Sequence, residues 1–308
     1  MSIVDDLSLG PDDPGYPALL RAAPSPPRLD VCGSLDSADG LAVAIVGSRR
    51  PTPYGLDVAE TLAAELAARG VTIVSGLARG IDTAAHRGAL RGGGRTLAVL
   101  GHGVDVVYPP ENRDLVHAIQ RQGAVLSQFP RGTGPRAFHF PVRNRTIAGL
   151  ALGVVVVEAG ERSGALITAG FAGELGREGF AVPGRVTSEV SRGAHGLLRD
   201  GAILVRDWAD IVQELPEPWR RALRIPAAGS DEIGRTVAGT EGAVLAALKP
   251  DEPLHIEELT ALVALTPGRL ASALVTLELQ GHARQLEGQR WVAVTARPVA
   301  GPSGARRS

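Results

Sequence analysis

The chain has 308 residues, of which 44% are hydrophobic, and its formal net charge at pH 7 is −1. This length predicts one large domain with a small one, or two medium domains. No apolar run reaches the about 18 residues that a membrane-spanning helix needs. The single cysteine, Cys32, excludes a disulfide framework and a cysteine-rich metal site, and the acidic start lacks a signal-peptide pattern, so we expect a cytoplasmic protein without a membrane partner.

The first two thirds of the chain predict an α/β fold. Residues 1–40 are rich in Pro, Gly and Asp and are predicted to be an irregular lead-in, of which residues 16–20 dock on the body. Over 41–215, short β-branched runs alternate with helical patterns, which predicts an extended Rossmann-like, doubly wound, mostly parallel sheet that binds its ligand at the carboxyl ends of the strands. The predicted strands are 42–46, 71–74, 96–100, 124–126, 152–158, 180–182 and 202–205, and the predicted helices are 56–69, 81–90, 113–121 and 165–175.

The last third predicts a second, smaller domain. Residues 216–240 are rich in Pro and Gly and are predicted to be a linker. Residues 241–294 show three helical patterns followed by two short strands, which predicts a winged-helix-like domain. Its third helix carries Arg269 as its only basic residue, which favours a protein-interaction or autoregulatory role over DNA reading. The tail, 295–308, is predicted to be disordered.

Residues 136–145 combine three arginines and two phenylalanines with no acid, and the surrounding segment 115–157 contains five arginines and no Asp or Glu. Arginine forks bind phosphates, and aromatic faces stack on bases. The segment therefore predicts a surface that binds single-stranded nucleic acid. The alternative is a solvated loop in which Phe138 or Phe140 plugs the core.

Two strand-to-helix turns suit an anion. The turn 47–50 can hold a phosphate through Arg49 and Arg50, and the turn 158–164 leads to a helix that Ser163 is predicted to cap. No dinucleotide fingerprint, Walker lysine or metal-binding histidine pair is present, so we predict no cofactor, no metal and no catalytic residue. Asp82 and His86, spaced i and i+4, are predicted to satisfy each other rather than to act as an acid/base pair.

Several ordered motifs support a more specific interpretation. They are AIVGSR at 44–49, VSGLARGID at 74–82, GHGVD at 101–105, YPPEN at 108–112 and FPVRNR at 140–145, with shorter matches up to 201–202. Together they closely resemble the DprA family, also called Smf, from about residue 16 to residue 205. The N-terminal helical domain common among its members is not expected here.

The resemblance implies a protein that binds single-stranded DNA without strong sequence preference and loads the RecA recombinase onto it, in natural transformation or recombinational repair. It implies a homodimer that is not an enzyme, with RecA and the single-strand-binding protein as protein partners. By the matching motifs, Arg49 should hold a phosphate, and Arg136 replaces a lysine that often precedes the Phe-Pro element. The predicted site comprises Arg49, Arg50, Arg136, Phe140, Arg143, Asn144, Arg145, Ser163, Gly164 and Thr168.

Two other functions stay open at this level. Related sheet architectures process nucleotides, and such an enzyme would need a catalytic carboxylate, for which Glu158 is the candidate. A regulatory protein that binds DNA through its winged helix would need a basic recognition helix, which this chain does not show.

Overall fold

The computed structural model describes residues 6–224, 240–249, 253–263, 265–279, 282–286 and 288–294. The chain divides into two compact units, Met1–Ile225 and Pro226–Ser308. The division falls inside the predicted linker, of which residues 225–239 lie outside the described residues, as does the predicted tail.

The first unit is built on a nine-stranded sheet within the described residues. Seven neighbouring strands are parallel, and the two at one edge are antiparallel, in the order β1-β2-β6-β5-β4-β3-β7-β8-β9. This confirms the predicted doubly wound, mostly parallel sheet. The strands are β1 (Asp6–Leu9), β2 (Leu29–Gly33), β3 (Ala42–Val46), β4 (Thr72–Ser75), β5 (Thr96–Leu100), β6 (Gly123–Ser127), β7 (Gly153–Val156), β8 (Glu178–Ala181) and β9 (Ile203–Leu204).

Helices cover both faces of this sheet. Alternate residues of β3 pack on opposite sides, with Val43 and Ile45 in one apolar cluster and Ala44 and Val46 in another. Because both faces are buried, the strand is a continuous apolar run rather than an alternating one. The helices are α1 (Ala18–Arg21), α2 (Pro53–Ala68), α3 (Ile81–Arg91), α4 (Arg113–Gln122), α5 (His139–Gly149), α6 (Gly164–Glu174), α7 (Arg192–Arg199), α8 (Trp208–Glu214) and α9 (Glu217–Arg221).

The prediction of an irregular lead-in over residues 1–40 is wrong. This segment supplies β1, β2 and α1, and β2 pairs with β6 in antiparallel orientation. Tyr16 and Leu20 are buried in the core, as the sequence predicted for this part, and the Tyr16 hydroxyl donates a hydrogen bond to the Pro27 carbonyl oxygen. The strands were not recognisable locally because their regularity comes from the partner strand β6 rather than from their own short, Pro-flanked sequence.

The second unit has the predicted winged-helix order of three helices and a hairpin. Its helices are α10 (Thr240–Ala247), α11 (Ile256–Val263) and α12 (Pro267–Leu279), and its hairpin is β11 (Ala283–Leu286) with β12 (Arg290–Ala293). A short strand, β10 (Leu254–His255), also pairs with β12. Apolar side chains from all three helices pack with Trp291 of the hairpin.

None of the helices in the described ranges is by itself long and apolar enough to cross a membrane. The bent pair Ile256–Val263 and Pro267–Glu278, with 108° between its halves, meets that length and composition only when taken together.

Candidate nucleic-acid interface

A cleft of about 740 Å³ lies at the carboxyl edge of the sheet, where β3 and β7 end. The order of the strands reverses between these two neighbours: β4, β5 and β6 are added on one side of β3, and β8 and β9 on the far side of β7. This reversal is the switch point of the sheet. Ligands of doubly wound sheets bind at this place. Eight of the ten predicted site residues line the cleft: Arg49, Arg50, Phe140, Arg143, Asn144, Ser163, Gly164 and Thr168.

The turn after β3 places two arginines at the cleft. Its backbone is fastened by hydrogen bonds from the Ser48 amide to the Glu158 carbonyl oxygen (2.6 Å) and from the Arg50 amide to Ser48 Oγ (3.0 Å). Arg49 and Arg50 are exposed. The turn therefore presents two solvated cations on a fixed backbone, as a phosphate site requires.

The ring of Phe140, at the start of α5, is half-buried in the wall of this cleft. The Arg49 guanidinium lies 5.0 Å from its centroid, and the Arg143 guanidinium 5.8 Å. Gly101 packs so closely that a Cβ there would stand 2.9 Å from the ring. Neither phenylalanine is a core residue, because Phe138 is 63% exposed and Phe140 is only half-buried. The alternative of a loop with core-filling aromatic residues is therefore wrong.

Arg143 lies at the floor of the cleft and is only 3% exposed. Its Nη1 donates hydrogen bonds to the carbonyl oxygens of Gly76 (2.5 Å) and Val99 (2.6 Å). Burial lowers the pKa of its guanidinium to about 10, partly offset by the nearby carboxylate of Asp82. A Cβ on Gly76 would stand 2.0 Å from Nη1, so the contact requires glycine. Arg143 therefore lines the cleft while its Nη1 bonds to the ends of β4 and β5. Its Nε is buried and has no hydrogen-bond partner among the described residues, and its role in binding DNA stays a prediction.

Three further predicted residues lie at or beside the N-terminus of α6. Ser163 Oγ accepts a hydrogen bond from the Ala165 amide, which confirms the predicted cap. Asn144 Nδ2 donates to the Gly164 carbonyl oxygen (3.2 Å) and so joins α5 to this turn. Thr168 is buried one turn later. The free amides of a helix N-terminus favour an anion, and the exposed Arg162, which the site prediction omitted, lines the cleft beside them.

Arg145 does not line this cleft, so the structure does not bring it together with the eight residues above, and its role in binding DNA stays a prediction. Its Nη1 pairs with Glu174 Oε2 (2.9 Å), and its guanidinium lies 5.4 Å from the Phe171 ring centroid. It lines a separate cavity of about 330 Å³. Two positions along a helix rotate a side chain by about 200°, which separates Arg145 from Arg143. Arg136 is exposed in the loop before α5, one residue from Ala137, which lines the cleft.

Glu158, the candidate carboxylate of a nucleotide-processing enzyme, has a structural role. It is 3% exposed; its Oε1 accepts from the Thr52 hydroxyl (2.6 Å) and its Oε2 from the Thr52 amide (2.8 Å). Thr52 in turn caps α2. Glu158 therefore joins the start of α2 to the segment that follows β7.

The prediction that Asp82 and His86 satisfy each other is also wrong. Asp82 accepts hydrogen bonds from the amides of Gly76 and Ala78, and burial raises the pKa of its carboxyl group. His86 Nδ1 lies 2.7 Å from Thr96 Oγ1, whose single proton goes to the Ile73 carbonyl oxygen. His86 must therefore donate from Nδ1, which leaves Nε2 as an unprotonated acceptor inside the core.

His86 makes stability dependent on pH. Burial lowers its pKa to about 3, against about 6.5 in an unfolded chain, with a smaller contribution from Arg143. Between these values the unfolded state binds more protons, so the free energy of unfolding should fall as pH drops from about 6.5, by up to about 1.4 kcal/mol per pH unit from this group. Urea titrations from pH 7 to pH 4 should show a shallower fall for His86→Leu. If the free energy of unfolding fell equally steeply with pH in the wild type and in His86→Leu, His86 would not be a buried neutral imidazole.

The comparisons with known proteins agree with this architecture. The family described as DNA recombination-mediator protein A matches residues 8–216, and the DprA winged helix domain matches residues 228–289. The putative DNA processing protein DprA of Mycobacterium tuberculosis is 41% identical over 91% of this chain and 75% of its own length.

Two solved structures are also similar. DprA from Streptococcus pneumoniae superposes with a TM-score of 0.66 at 44% identity, covering 68% of this chain and 75% of that one. The Helicobacter pylori DNA processing protein A, whose structure was described for its single-stranded DNA binding mode, has a TM-score of 0.58 at 31% identity, covering 64% and 91%. These matches confirm the resemblance that the sequence motifs indicated: the chain belongs to the DprA/Smf family of DNA recombination mediators.

Proposed function

We propose that this chain binds single-stranded DNA in the cleft at the β3–β7 switch point and delivers RecA to that strand. The observation that carries the proposal is the Phe140 ring beside the exposed Arg49, in a cleft that also holds Arg50, Arg162 and the N-terminus of α6. An aromatic face for a base next to cations for phosphates is how proteins hold single strands. The single-stranded DNA binding described for the Helicobacter relative supports the same assignment.

The chemistry of the cleft favours binding without strong sequence preference. The cleft contains three exposed arginines, Arg49, Arg50 and Arg162, which suit phosphates and carry no sequence information. Every nucleobase has a π face that can stack on Phe140. Glu158, the carboxylate that the catalytic alternative would use, accepts hydrogen bonds from Thr52 on both oxygens and does not line the cleft.

The first experiment is equilibrium binding of labelled poly-dT and of the matching duplex across a salt series. Binding that prefers the single strand and weakens as salt rises would support the proposal. Equal affinity for both forms, or none for either, would overturn it and direct attention to nucleotide ligands.

The exposed arginine of the first turn allows a matched test. We expect Arg49→Ala to weaken binding to all sequences alike and to reduce the slope of log K against log salt by roughly 0.7, the value for one phosphate contact on a single strand. Arg145→Ala should change neither quantity, because its guanidinium is paired with Glu174 outside the cleft. The reverse pattern would show that the sequence motif, rather than the cleft, defines the path of the strand.

RecA loading, a homodimeric state and contact with the single-strand-binding protein are the further parts of this proposal, and family membership supports them. The test is RecA filament assembly on single strands coated with the single-strand-binding protein, with and without this chain. Acceleration by the wild-type protein and not by Arg49→Ala would support loading. No acceleration would reduce the proposal to DNA binding. Sedimentation of the full chain over a concentration series would test the dimer.

A further inference from the structure

A second aromatic ring stands just outside the cleft. Phe138, the residue that precedes α5, is 63% exposed, whereas its neighbours Ala137 and Phe140 line the cleft. A single exposed apolar side chain is ordinary in a folded protein. Phe138 differs from such a residue because its ring packs on the His139 side chain, which itself stacks on Phe129.

The ring rests on a chain of buried and half-buried rings. Its centroid lies 4.5 Å from that of His139 in an edge-to-face arrangement, and His139 stacks on Phe129 at 4.1 Å with 23° between the planes. His139 is buried, and its Nδ1 donates to the Gly101 carbonyl oxygen (3.1 Å). Phe138 is therefore a large solvent-exposed ring that packs on the fixed side chain of His139. A ligand that stacks on this ring would cost the protein little conformational entropy.

The two rings also share an anchor. The carbonyl oxygen of Gly101, the residue after β5, accepts the hydrogen bond from His139. Gly101 also lies so close to Phe140 that an added Cβ would stand 2.9 Å from the ring. Gly101 thus contacts both Phe140 and His139, the residue on which the Phe138 ring rests.

The sequence segment around Phe138 carries positive charge. Arg136 is exposed two residues away, and residues 115–157 contain no Asp or Glu. Basic and aromatic side chains in alternation suit the phosphates and bases of a single strand, whereas an apolar protein surface would gain nothing from the arginine. The ring is also continuous with the cleft through Ala137.

We propose that Phe138 is a second stacking platform, which holds a base of the strand immediately outside the cleft, with Arg136 on the adjoining phosphate. This inference rests on the proposed single-strand binding and extends its footprint. The ligand is single-stranded DNA long enough to leave the cleft. The platform recognises a nucleobase through its π face and does not select among bases.

The test compares oligo-dT of about 4 and about 15 nucleotides, which bracket the cleft and the extended path. We expect Phe138→Ala to weaken binding of the longer strand roughly 5- to 100-fold and to leave the shorter unchanged. Phe138→Trp should keep the affinity, and its fluorescence should be quenched by the longer strand. Val142→Ala is the matched control, because Val142 is an exposed apolar residue without a ring, four positions after Phe138 and inside α5. The melting temperature of each variant verifies folding.

Three results would overturn the platform. They are unchanged affinity of Phe138→Ala for the longer strand, an equal loss for both lengths, and a defect seen only in RecA assembly, which would make the ring a protein contact. In each case wild-type binding of the short strand would leave the proposed function standing. Absence of wild-type binding to both lengths would instead remove the proposed function itself.

Discussion

Arg143→Ala should lower the free energy of unfolding by about 3–5 kcal/mol, the range for removing one partner of a buried charge network. The substitution deletes the hydrogen bonds to the Gly76 and Val99 carbonyl oxygens and leaves the buried carboxyl group of Asp82 without its neighbouring cation. Urea denaturation at pH 7 measures the loss. Any fall in DNA affinity should follow from the unfolded fraction and vanish at temperatures where the variant is folded.

The neighbouring arginine supplies the control. Arg145→Ala removes an exposed ion pair with Glu174 and should cost less than about 1 kcal/mol. The double variant Arg143→Met with Asp82→Asn should recover part of the stability lost in Arg143→Met alone, because both buried charges are removed together. If Arg143→Ala were fully stable and deficient only in DNA binding, Arg143 would be a direct phosphate ligand and the structural role would be wrong.

Phe140→Ala should weaken single-strand binding by about 1–3 kcal/mol, or roughly 5- to 150-fold, if the ring stacks on a base. The ring is half-buried against Gly101, so some stability is lost as well, though less than the about 3–5 kcal/mol of a fully buried phenylalanine. Poly-dT titration and thermal melting on the same preparation separate the two effects.

Phe140→Leu makes the distinction sharper. Leucine restores most of the apolar volume beside Gly101 and lacks a π face, so we expect its melting temperature to approach the wild-type value while its affinity stays low. Recovery of affinity with leucine would mean that Phe140 acts through packing and that the base lies elsewhere.

The site shows where prediction from sequence stops. Eight of the ten predicted residues do line one cleft, because their motifs follow strands whose carboxyl ends meet at one edge of a parallel sheet. The sequence could not separate Arg143 from Arg145, since that depends on the rotation of α5 against the sheet. It could not find the partner of Glu158 either, because Thr52 is 106 residues away along the chain.

By itself the sequence determined the family, the α/β class and the working edge of the sheet. The strands β3 and β5 match their predicted bounds residue for residue, because strands buried on both faces are continuous apolar runs that can be recognised locally. The tertiary structure alone decided that β1 and β2 belong to the sheet, that Arg143 is buried, and that Phe138 stands in solvent on a fixed base. Burial and pairing depend on neighbours that are distant along the chain.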